Sequence, residues 1–100
     1  MKTPKIKITN RISNKGYPIS SKCYRHAHRK ANKEEKEQYG KQRFNKLNTI
    51  INKIIPNNEL AGKHTKSGII QLSSKIPKQY RNQIKFHELI EMNNMKSKNC

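Results

Sequence analysis

The residues of this chain that suggest metal chemistry lie close together in its first third. Cys23, His26 and His28 are near neighbours, and Cys100 or His64 would have to supply a fourth ligand. A closed structural zinc site usually offers paired ligands on both sides of a loop, and no second pair follows here. The sequence therefore predicts no metal site, and His26 and His28 are interpreted as an extension of a basic segment.

Catalytic side chains are equally sparse. Cys23 and His26 lie one helical turn apart, which suits a nucleophile and its base, but the sequence offers no third group to orient them. It also contains no Asp, no glycine-rich phosphate loop and no nucleophile motif. The chain is therefore predicted not to be an enzyme and to use no cofactor.

Positive charge dominates the composition. The 100 residues include 23 Lys and Arg against 6 acidic residues, which gives a formal net charge of +17. Such an excess attracts polyanions, because each neutralised phosphate releases condensed counterions. No apolar run is long enough to span a bilayer, and no membrane partner is expected. The predicted partner is a nucleic acid.

These charged residues need elements to position them, and the chain divides into three parts. Residues 1–20 contain Pro4, Gly16 and Pro18 and show no regular period, so they are predicted to form a flexible basic arm. Residues 21–94 are predicted to form one helical nucleic-acid-binding domain, and residues 95–100 a disordered tail. Only 31% of the residues are hydrophobic, so one copy buries little apolar area and a partner chain is favoured.

Within this domain, apolar residues recur at helical spacing. They follow at steps of three and four and end before Pro56, which cannot continue a helix. A second amphipathic helix is predicted between Thr65, a suitable N-cap, and Pro77, and a short third helical segment follows. The predicted fold is therefore all-α: a basic helix, an amphipathic helix, a loop and a second amphipathic helix.

This arrangement resembles the basic helix-loop-helix (bHLH) family of dimeric DNA-binding transcription regulators. The resemblance covers residues 29–76, roughly half of the chain. Arg29-Lys30 falls where the family has its first basic pair, and Glu37 falls where it has a base-reading glutamate. Lys41 and Arg43 match later basic residues. Residues 65–72 resemble the start of the family's second helix.

The resemblance implies a nuclear transcription regulator that acts as a homo- or heterodimer on duplex DNA. Basic segments would enter the major groove, and Glu37 would accept hydrogen bonds from base amino groups. The implied phosphate-contacting residues are Arg25, Arg29, Lys30, Lys33, Lys41 and Arg43. The implied dimerisation core consists of Phe44, Leu47, Ile51, Ile54, Ile55, Ile69, Ile70 and Ile76.

Three alternatives stay open. Glu37 would pair with Lys41 on a solvated helix face if it reads no base. A helix-turn-helix over residues 44–93 would make the third segment the reading helix. The basic residues run along the whole chain, which also fits a structural RNA-binding protein such as a small ribosomal component, associated with the ribosome or an organelle.

Overall fold

Three strands and three helices make up residues 4–97, the part of the chain that the computed structural model describes. Their order is β1 (Lys5–Thr9), α1 (Lys22–Tyr39), α2 (Lys41–Ile54), β2 (Gly62–His64), β3 (Ile69–Ser73) and α3 (Lys78–Ser97). The strands form one mixed sheet in the order β1-β3-β2. The prediction of an all-α helix-loop-helix fold is therefore wrong, and the fold is α/β.

The error lies first in the segment predicted to be the second amphipathic helix. Residues 69–73 form strand β3, which pairs antiparallel with β2 through a turn at residues 65–68. Gly68 adopts a φ of 93°, a conformation that glycine accepts readily, and Thr65 Oγ1 accepts a hydrogen bond from the backbone N–H of Ile69. A short apolar run between two turns fits a strand as well as a helix, and the adjacent Ile69 and Ile70 favour the strand.

The prediction of a disordered amino-terminal arm is also contradicted by the structure. Residues 5–8 alternate between Lys and Ile, which is the period of a strand. Residues 5–9 form β1, which runs parallel to β3 from Lys5 opposite Ile69 to Thr9 opposite Ser73. Ile6 and Ile8 keep 41% and 50% of their surface exposed, so β1 is an edge strand with little apolar cover. Backbone pairing to β3, more than burial, holds this strand in place.

The long basic and amphipathic segment is divided into two helices at Gly40. Helix α1 begins after Ser21, whose Oγ accepts a hydrogen bond from the backbone N–H of Tyr24. Gly40 has a φ of 93° and separates α1 from α2. Helix α2 ends two residues before Pro56, as the proline predicts.

The core lies between α2, the sheet and α3. Its members are buried apolar side chains from all three parts: Leu47, Ile55, Ile70, Leu72, Ile76, Tyr80 and Ile84. Helix α1 packs along α3. Ala27 and Ala31 of α1 are completely buried, and their small side chains allow the close approach of the two helices. No helix within residues 4–97 is both long enough and apolar enough to cross a membrane.

Candidate metal centre

Half of the carboxylates of this strongly basic chain lie in one buried cluster. Of the six acidic residues, Glu35, Glu88 and Glu91 are buried. Three of the four histidines lie against these carboxylates: His28, His64 and His87. Burying charged groups is unfavourable unless they are paired or bind a metal ion. The cluster is therefore the part of the described chain that most needs a functional explanation.

Three elements position these residues. Helix α3 carries His87, Glu88 and Glu91, and the four-residue step from His87 to Glu91 places both side chains on the same helix face. Helix α1 supplies His28 and Glu35 from the face that packs against α3. Strand β2 supplies its last residue, His64.

Potential metal ligands converge on one oxygen of Glu91. Oε2 of Glu91 lies 2.6 Å from His28 Nδ1 and 2.7 Å from His87 Nε2, and these two nitrogens are 3.2 Å apart. Glu91 is completely buried, and its other oxygen, Oε1, has no hydrogen-bond partner among residues 4–97. A cation could satisfy both this oxygen and the two nitrogens.

A chain of hydrogen bonds fixes the orientation of the His87 ring. His87 Nδ1 donates to Oε1 of Glu35 at 2.7 Å, and Gln83 Nε2 donates to Oε2 of the same carboxylate at 2.6 Å. Gln83 in turn accepts a hydrogen bond from Arg43 Nε at 3.0 Å. Because Glu35 fixes a proton on Nδ1, the Nε2 atom of His87 is the nitrogen that can bind a metal ion.

A second group lies on the opposite side of Glu91. His64 Nδ1 is 3.2 Å from Oε1 of Glu88 and 3.6 Å from Oε1 of Glu91. The Tyr17 hydroxyl lies 3.0 Å from His64 Nδ1 and donates to Oε1 of Glu88 at 3.4 Å. Tyr17 and His64 thus fix the orientation of the Glu88 carboxylate.

Burial and mutual contact shift the titration of these groups. Burial lowers the pKa of His87, but hydrogen bonds to Glu35 and Glu91 raise it more, to about 10. Burial raises the pKa of Glu91, but hydrogen bonds from His28 and His87 reverse this and hold it at about 2. Burial raises the pKa of Glu88. Without a metal ion, His87 is therefore a cation between two carboxylates.

A cavity of about 270 Å³ lies beside the cluster. The polar part of its lining includes His28, Glu35, His87 and Glu88, and residues 60–62 also line it. Gly62 lets β2 pack closely against α3 beside this cavity, because a Cβ atom at this position would lie 2.6 Å from Cγ2 of Ile84 and 3.2 Å from Cγ of Glu88. A small substrate group and a water molecule could both reach the side chains of the cluster.

The residues predicted to contact DNA lie mostly on the surface. Exposed side chains on α1 and at the start of α2 include Arg25, Arg29, Lys30, Lys33, Glu37 and Lys41. Arg43 is different, because it reaches Gln83 and the backbone oxygen of Gln79 and lies over the ring of Tyr80. DNA contact by these residues stays a prediction.

The residues predicted to form a dimer core are covered largely by their own chain. Five of them are buried in the described structure, namely Phe44, Leu47, Ile55, Ile70 and Ile76. Ile51 and Ile69 are partly buried, whereas Ile54 keeps 40% of its surface exposed. The sheet and α3 thus provide the apolar partner for which a second chain was expected, and dimerisation stays a prediction.

Sequence reasoning missed most of the cluster. The sequence groups His28 with Cys23 and His26 as potential zinc ligands, with Cys100 or His64 as the fourth. Cys23 and His26 do not join the cluster, and Cys100 lies outside the described residues. The overlooked signal is His87-Glu88-x-x-Glu91. It has the spacing of the H-E-x-x-H zinc motif, with a glutamate in place of the second histidine.

Comparisons with known proteins give no relative: no family model, no curated protein and no solved structure matches this chain.

Proposed function

We propose that this protein is a metal-dependent hydrolase in which His28, His87 and Glu91 bind a divalent transition-metal ion, with zinc the best match. The observation that carries the proposal is the convergence of two imidazole nitrogens on Glu91 Oε2, beside a buried carboxylate oxygen that has no hydrogen-bond partner among residues 4–97. These residues form one of two groups in the described chain whose ligand atoms lie close enough together to hold an ion.

The donor set favours zinc. Two imidazoles and one carboxylate are ligands that zinc accepts, and three protein ligands leave a coordination position for water, as in catalytic zinc sites. The adjoining cavity supplies the space for that water. Glu35 supports this assignment, because a histidine that binds a metal usually donates its other N–H to a carboxylate.

Glu88 is the candidate general base. It borders the same cavity, and it follows the ligand His87 directly in the sequence. A bound zinc ion lowers the pKa of its water to about 7, so that a neighbouring carboxylate can accept the proton. Tyr17 and His64 hold Glu88 in place, and burial raises the pKa of its carboxyl group.

Metal binding can be separated from a purely structural role of the cluster by titrating the purified protein with zinc. We expect one tightly bound ion per chain and a loss of at least tenfold in affinity in His28→Ala. His26→Ala is the matched control, because His26 lies on the same helix, is exposed and is outside the cluster. Equal zinc affinity in the wild type and in His28→Ala would remove His28 from the ligands and refute the proposed metal centre.

Catalysis needs its own test. The zinc-loaded protein should hydrolyse at least one member of a panel of phosphodiester, carboxylic ester and peptide substrates. Glu88→Gln should abolish turnover while keeping the zinc, because the amide cannot accept a proton. Turnover unchanged in Glu88→Gln would remove Glu88 from the reaction, and a zinc-loaded protein inactive on the whole panel would contradict the hydrolase assignment.

A further inference from the structure

The solvent face of α1 carries a stripe of cations beside the proposed metal centre. The stripe repeats at steps of three and four residues and consists of Lys22, Arg25, Arg29, Lys33 and Lys36, all exposed. Within the described residues, none of these five side chains has an acidic partner within ion-pair distance. Lys36 Nζ lies 4.7 Å from the centroid of the Phe44 ring, and the charges of the other four are available to a ligand.

A surface groove connects this basic stripe to the metal centre. The groove has a volume of about 880 Å³, and Lys22, Arg25 and Arg29 contribute to its lining. It shares three wall residues with the cavity at the cluster: Tyr24, His28 and Leu60. The side chain of His28 is 43% exposed, whereas that of Glu91 is fully buried, so His28 is the member of the metal centre that the groove reaches.

The charge and length of the stripe fit the backbone of a nucleic acid. Over the 14 steps from Lys22 to Lys36, a helix rises about 21 Å. This length corresponds to about six phosphates of one strand of a duplex, at 3.4 Å of helix axis per phosphate. A membrane surface fits less well, because interfacial binding needs an apolar helix face, and the apolar face of α1 is buried against α3.

We infer that the substrate of the proposed hydrolase is a nucleic-acid phosphodiester, held by the basic stripe and led to the metal centre at His28. This inference rests on the proposed function. In the reaction, the oxygen of a water molecule forms a bond to phosphorus and one phosphorus–oxygen ester bond breaks. Glu88 accepts one proton from the water and passes it to the leaving oxygen, which becomes a hydroxyl group. No oxidant or second substrate is required.

Binding can be tested apart from the metal, by fluorescence anisotropy of the metal-free protein with single-stranded DNA, single-stranded RNA and duplex DNA at several salt concentrations. Arg25→Ala/Arg29→Ala should flatten the slope of log affinity against log salt by roughly 1.4 on a single strand, since each lost phosphate contact contributes about 0.7. Lys46→Ala/Lys53→Ala is the control, because it removes equal charge from exposed sites on α2 outside the groove.

Equal effects of the two double variants would overturn the inference, since binding would then follow net charge alone. Stronger binding to an acidic peptide or to anionic phosphatidylserine vesicles than to every nucleic acid would also overturn it. Comparison of the affinities for single-stranded DNA and single-stranded RNA identifies which backbone is preferred.

Cleavage of the bound strand is then measured with the zinc-loaded protein, and we expect product from the wild type and none from Glu88→Gln. Nucleic-acid binding without zinc binding would refute the proposed function, but the basic stripe would still be a nucleic-acid-binding surface. Zinc binding and nucleic-acid binding without cleavage would refute the substrate assignment alone.

Discussion

Replacing Glu35 by glutamine tests the hydrogen-bond chain behind His87 without changing the size of the side chain. In the wild type, both carboxylate oxygens of Glu35 accept: one from His87 Nδ1 at 2.7 Å and the other from Gln83 Nε2 at 2.6 Å. The introduced amide has only one oxygen, so one of the two donors faces an NH₂ group instead. Gln83 cannot turn its own amide to compensate without losing the hydrogen bond from Arg43.

Two losses follow from Glu35→Gln. A buried donor without an acceptor costs about 1–3 kcal/mol in the free energy of unfolding. Loss of the carboxylate that supports a metal-binding histidine typically lowers metal affinity 10- to 100-fold, or about 1.4–2.7 kcal/mol. Unfolding by urea and a zinc competition titration with a chromophoric chelator measure these two quantities separately.

The double variant Glu35→Gln/Gln83→Glu separates hydrogen bonding from charge. The oxygen of the introduced amide can accept from His87, while its NH₂ group donates to the new carboxylate, which also accepts from Arg43. We expect the stability to recover and the zinc affinity to recover only in part, since His87 no longer faces an anion directly. A Glu35→Gln variant that binds zinc within twofold of the wild type would refute the supporting role of Glu35.

Three further predictions concern the metal-free protein. Because the fold raises the pKa of His87 from 6.5 to about 10, the stabilisation from its protonated form is complete below pH 6.5 and is lost as the pH rises toward 10. The lowered pKa of Glu91, about 2 against 4.5, gives stabilisation above pH 4.5 that is lost as the pH falls toward 2. Urea midpoints that stay constant from pH 6.5 to about 9.5 would contradict the first assignment. Gly62→Ala should lower the free energy of unfolding by about 1–3 kcal/mol, because the added Cβ would lie 2.6 Å from Ile84 Cγ2. A thermal-denaturation midpoint equal to that of the wild type would show that the strand can move away.

The sequence predicts the helical parts of this fold better than its strands. Apolar spacing and Pro56 place α2, and Pro77 marks the start of α3, because these signals are local. The prediction of a helix in place of strand β3 is wrong because Ile69, Ile70 and Leu72 fit a helical or a strand period equally well over so short a run. The choice between them depends on pairing with β1 and β2, which lie far away in the sequence.

The candidate site could not be predicted from the sequence, for a related reason. Only the spacing of His87, Glu88 and Glu91 is local, and a surface helix often carries such residues without a function. His28 and Glu35 join the cluster only when α1 packs against α3, and no short-range pattern shows which face of α1 is buried. The surrounding basic residues also suggest that Glu35 is one more member of a solvated charged helix, although only 4% of its surface is exposed.

The pairing of β1 with β3 also bears on how the chain reaches this structure. Asn10, directly after β1, contacts Ser74, directly after β3, across 64 positions, and His28 meets Glu91 across 63. Contacts between residues so distant in sequence slow folding, because loop-closure entropy must be overcome before any of them forms. The three proposed ligands come together only when α1 docks on α3. Acquisition of zinc would therefore report on a late step of folding and would stabilise the folded chain against reopening.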